Sequence, residues 1–125
     1  MKDPDYTLNI FHDVDEESKA RGVVFVVQTT KVFVSFRYDI LLEPSEEGRT
    51  IRLRIKGLHA PELLMPGGGP AIGRCHFTNL FGHYHLIVVK QDKTHNSFDI
   101  DVGKKEVTLL RSPQQSFIQV TTDPL

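Results

Sequence analysis

His83 and His85 stand two positions apart in the run Gly82-His83-Tyr84-His85-Leu86-Ile87-Val88, among six histidines in the chain. On a strand, residues two apart project to the same face, so the two imidazoles can share one transition-metal ion such as Zn²⁺. His76 or Cys75 would complete such a site. As neighbours in sequence these two point to opposite faces of one strand, so one of them at most can reach the ion. Val89 and Lys90 stand where a ligating carboxylate would strengthen the set. A small metal-binding β-barrel protein or enzyme is therefore the alternative reading, and half-exposed strand histidines with no cofactor the leading one.

Arg49, Arg52, Arg54 and Lys56 hold four positive charges with no negative charge between them, the last three on one strand face. Arg52, Arg54 and Lys56 are thus candidate contacts for an anionic partner. A hairpin with the preceding strand sets Asp39 opposite Arg52 or Arg54, which would neutralise part of the stripe. No aromatic residue interleaves the charges, which removes the stacking platform of a single-stranded nucleic-acid site. The acidic run Asp13-Val14-Asp15-Glu16-Glu17 fails the spacing of a calcium loop, with Ser18 where glycine and Val24 where a bidentate glutamate belong. Gly67 to Gly73 lacks the helix and the lysine of a phosphate loop. Asp99 and Asp101 share a face and read as a solvated strand. Cys75 is the one candidate nucleophile, with no Gly-x-Ser-x-Gly in the chain.

The elements that carry these residues are strands, because the apolar period is two almost everywhere. Ile51, Leu53 and Ile55 alternate with Arg52, Arg54 and Lys56; Phe98, Ile100 and Val102 alternate with Asp99 and Asp101. Val32, Val34, Phe36, Tyr38 and Ile40 read as another inward row. Val23 to Val27 is apolar on both faces, as in a buried strand. Shorter candidates are Tyr6 to Phe11, Arg74 to Thr78, Glu106 to Leu110 and Phe117 to Thr121. Turns are expected at Glu43 to Gly48, Gln91 to Asn96 and Gly103-Lys104. Leu58 to Pro70 is the longest interruption, with one helical turn started by Pro61 and a candidate apolar lid, Leu63, Leu64 and Met65, able to close over a small molecule.

Gly82 to Val88 also resembles the tyrosine corner of immunoglobulin-like sandwiches, with Tyr84 opening a strand and Leu86 following on its face. The expectation is an all-β chain, one antiparallel β-sandwich domain over residues 1–125 with an immunoglobulin-like centre, jelly roll and open β-barrel being the alternatives. Three candidate strands beyond Lys90 exceed what an immunoglobulin domain needs.

The chain has 125 residues and a net charge of -1. That suits one domain and argues against a dedicated nucleic-acid or polybasic membrane binder. A single cysteine excludes an internal disulfide and fits a reducing compartment; with no leader-like run at Met1, a cytoplasmic location is expected. With no complete catalytic set, the expected function is a noncatalytic interaction module that binds another protein or its own copy. A homodimer would cover the outward apolar residues of Val23 to Val27 or His83 to Val89.

Overall fold

The computed structural model describes residues 4–14, 17, 19–34, 38–60 and 67–124. Among them the chain is all-β, without helix. The strands are β1 (Tyr6–Val14), β2 (Arg21–Phe33), β3 (Asp39–Glu47), β4 (Thr50–His59), β5 (Gly69–Phe77), β6 (Gly82–Val89), β7 (His95–Val102), β8 (Val107–Arg111) and β9 (Ile118–Thr121). Alternation makes them. On β4, Ile51, Leu53 and Ile55 are buried while Arg52, Arg54 and Lys56 are exposed. On β7, Phe98, Ile100 and Val102 are buried.

All nine strands belong to one sheet in the order β8-β7-β6-β4-β3-β5-β2-β1-β9. The pairs β4/β6, β3/β5 and β1/β9 are parallel and the remainder antiparallel. The sheet is nearly closed and barrel-like. The expected antiparallel sandwich is therefore replaced by a mixed sheet, for which the open barrel is the nearer description. Hairpins alone would yield antiparallel neighbours, whereas the crossovers into β5, β6 and β9 lay strands side by side in the same direction. The sheet is thinnest between β3 and β5, where Asp39 and Ile72 form the single residue pair and the Ile72 N–H donates to the Tyr38 carbonyl at 3.3 Å. Gly73 permits this approach, since a Cβ there would lie 2.6 Å from the Ile40 carbonyl oxygen.

One core fills the interior, with Leu8, Ile10, Val23, Phe25 and Val27 meeting Ile51, Leu53, Leu86, Phe98 and Ile100. A second, smaller cluster of Phe11, Val24 and Val26 is buried on the outer face of β1 and β2. The chain covers it with its own groups. Arg74 on β5 reaches across β2 to Asp13 on β1 at 3.3 Å, and the His76 ring lies over Gly22, where a Cβ would come within 2.8 Å of Nε2. The second apolar face of β2 thus needs no other chain to bury it.

Two strand expectations change. Val32 to Ile40 is not one inward row: β2 ends at Phe33 and β3 begins at Asp39. Phe33 continues the inward phase of Val23, Phe25 and Val27 and packs edge to face on Tyr38 at 5.0 Å. Val32 and Val34 are 63% and 90% exposed, and Phe36 lies outside the described residues. Glu43 to Gly48 is not a six-residue turn either. β3 continues through Pro44 to Glu47, which pairs with Thr50, so Gly48 and Arg49 alone make the turn. Gly48, at φ +60°, supplies the positive φ that a two-residue hairpin requires. Pro44 is tolerated because this half of β3 pairs with β4 alone and needs no N–H on its other edge. The helical turn expected at Pro61 falls outside the described residues.

Candidate functional site

The antiparallel register of β6 and β7 sets His83 opposite Asp101 and His85 opposite Asp99. His85 Nδ1 lies 2.9 Å from Asp99 Oδ1 and His83 Nε2 lies 3.4 Å from Asp101 Oδ1. Arg111 Nε approaches the second Asp99 oxygen at 3.9 Å. His83 and His85 do share a face, as their spacing requires, but each imidazole meets a carboxylate across the strand pair. His76 is on β5, separated from β6 in the sheet by β3 and β4. Among the described residues no group of three or more His, Cys, Asp or Glu side chains is placed to hold a metal ion.

Beneath this face Tyr84 is 6% exposed. The Phe81 N–H donates to its hydroxyl oxygen at 3.3 Å. The Arg49 guanidinium lies 5.0 Å from the ring centroid and donates to the Phe81 carbonyl. Tyr84 is therefore buried and tied to backbone just upstream, as the sequence indicates.

Arg52, Arg54 and Lys56 are exposed along β4. The neutralising partner of Arg54 and Lys56 is Glu43, whose carboxylate lies 3.3 Å from Arg54 and 3.7 Å from Lys56. Asp39 instead faces His59 across the hairpin. The extension of β3 to Glu47 shortens the turn and moves the register, which corrects the expected Asp39 pairing. Leu63, Leu64 and Met65 lie outside the described residues. Cys75 packs against the core beside Phe25, and burial pushes its thiol up to about 12. Near neutral pH such a thiol carries almost no thiolate and is a poor nucleophile.

The concavity that sequence reasoning missed lies between β7 and β8 on one side and β9 on the other. It is a cleft of about 740 Å³, with Phe98, Leu109, Ile118 and Val120 among its apolar lining residues and Asn96 and Lys90 among the polar ones. Its lower end is tied by Asn96, whose Oδ1 accepts from the Phe117 N–H and from Ser116 Oγ, each at 3.0 Å. Lys90 Nζ lies 3.4 Å from Asp5 and 4.8 Å from the Phe117 ring centroid. The cleft exists because β9 leaves β8 and pairs with β1. The surplus of strands beyond Lys90 was the trace of it in the sequence. Such a lining, apolar with a few placed polar groups, has the composition common to ligand pockets.

Among the described residues no helix is long and apolar enough to cross a membrane. Comparison of the chain with protein-family models, with curated proteins and with solved structures finds no match in any of the three.

Proposed function

We propose that the chain is a noncatalytic binding module that engages another polypeptide at the cleft between β8 and β9. The observation that carries this reading is the cleft itself, about 740 Å³ with apolar and polar groups in its lining, set where the sheet has its two end strands. Ligand pockets commonly span roughly 300 to 1,000 Å³ and combine these two features. The rival metal reading has less to rest on, because the two imidazoles are carboxylate-paired and His76 is remote. Self-association through the outer face of β2 also loses its motive, because Val24 and Val26 are each only 2% exposed within one chain. An immunoglobulin-like centre rests on the Tyr84 corner alone.

Panning a phage-displayed library of linear peptides on the folded chain tests the proposal. Clones are expected that bind the native chain and bind a Leu109→Lys variant about tenfold more weakly, circular dichroism confirming that the variant is folded. Clones unaffected by Leu109→Lys, or an absence of binders, would overturn it.

A further inference from the structure

We propose that the cleft takes its ligand as an added β-strand on the free edge of β8: an extended segment with apolar residues at alternate positions and carboxylates at its flanks. This deepens, and rests on, the reading of the cleft as a polypeptide site.

The hydrogen-bond phase of the β7–β8 hairpin says which groups are free. The Gly103 N–H donates to the Glu106 carbonyl at 2.8 Å, so these two residues form a hydrogen-bonded pair. Alternation makes Val102 and Val107 the next, non-hydrogen-bonded pair, and Ile100 and Leu109 another of the same kind. Residues in such pairs direct their N–H and C=O away from the partner strand. Val107 and Leu109 therefore direct theirs away from β7, on the side where β8, an end strand, has no strand paired to it among the described residues.

The opposite wall differs. The Phe117 carbonyl accepts from the Tyr6 N–H at 3.1 Å, which turns Ile118 and Val120 of the parallel β9 edge toward the cleft. There Ser116 caps the edge: the Ile118 N–H donates to Ser116 Oγ at 3.1 Å, and the same hydroxyl reaches the Ile118 carbonyl. β9 thus has part of its edge occupied by its own chain. β8 has no such cap among the described residues, so the open ladder is on β8.

Charge selects the flanks of the segment. Residues 104–111 hold Lys104, Lys105 and Arg111 against one carboxylate, Glu106. The Arg111 side chain is 82% exposed, with Asp99 no nearer than 3.9 Å. Cations on an edge strand ordinarily repel a second strand of the same kind. For an acidic-flanked segment the same charges attract. In strand addition the main-chain bonds supply affinity and the alternate side chains specificity; here those side chains would fall beside Leu109 on to Phe98 and Ile118.

The test takes the tightest clones from the peptide library and maps each by amide hydrogen exchange on the isotope-labelled full chain. Bound peptide is expected to slow exchange at the Leu109 and Val107 N–H groups about tenfold or more. N-methylation along one edge of the peptide should abolish binding, and methylation along the other edge should leave it. Arg111→Glu, at an exposed side chain, should weaken acidic-flanked clones about tenfold at low salt. Clones that bind in the cleft while leaving exchange at Leu109 and Val107 unchanged would overturn strand addition and keep the binding module. A library that yields no binder would overturn both.

Discussion

His12 Nε2 donates to the carbonyl oxygen of Gly103 at 2.9 Å, joining β1 to the turn between β7 and β8 across 91 positions of sequence. This bond spans the seam of the sheet, between β1 and the β7–β8 turn, on the side away from the cleft. It bridges this seam where, among the described residues, no backbone ladder does so.

His12→Phe should keep the ring volume and remove the donor. The expected loss is about 1 kcal/mol, the usual net worth of one such bond. Urea denaturation measures it, and amide exchange should rise at β8 more than at β2. An unchanged midpoint would mean that the seam is held elsewhere.

Tyr84→Phe removes the acceptor of the Phe81 N–H while leaving the Arg49 guanidinium over the ring. About 1 kcal/mol should be lost, since a partly buried donor is left without its partner. A chemical denaturation curve of the variant checks this, and a loss above about 3 kcal/mol would point to repacking beyond the hydrogen bond.

Glu43→Gln should release Arg54 and Lys56 and raise retention on a sulfonate cation-exchange column, with about 0.2 to 1 kcal/mol of stability lost because both ion pairs are solvent-exposed. Asp39→Asn should change retention less, since Asp39 stands opposite His59. The reverse order of effects would contradict the β3–β4 register.

Folding raises the Cys75 thiol from 9.0 to about 12 by burial. The unfolded chain therefore loses this proton first as pH rises. The stabilising contribution is complete below pH 9 and is lost progressively as pH rises toward 12. Urea midpoints at about pH 8 and pH 10 should fall further apart in the native chain than in Cys75→Ala, and alkylation of the folded native chain by iodoacetamide should be slow near neutral pH.

What the sequence determined by itself was most of the strands and their faces, with Val32 to Ile40 and Glu43 to Gly48 as the exceptions. Ile51 to Lys56 and Phe98 to Val102 alternate because one side meets the core and the other water, a relation between neighbours two apart that needs no knowledge of the fold. The burial of Tyr84 and its tie to backbone were legible for the same reason: its partner, Phe81, is three residues away. Pairing across distance was decided by the tertiary structure. Neither the parallel crossing of β4 with β6 nor the departure of β9 from β8 to β1 leaves a mark in local periodicity. The cleft, which is a product of that departure, showed in the sequence only as a surplus of strands beyond Lys90. Val24 and Val26 make the point physically. Their outward apolar side chains ask for a cover, and a sequence cannot say whether that cover is a second copy or, as in this fold, the chain's own Arg74, Asp13 and His76 brought over β2 by the neighbouring strands.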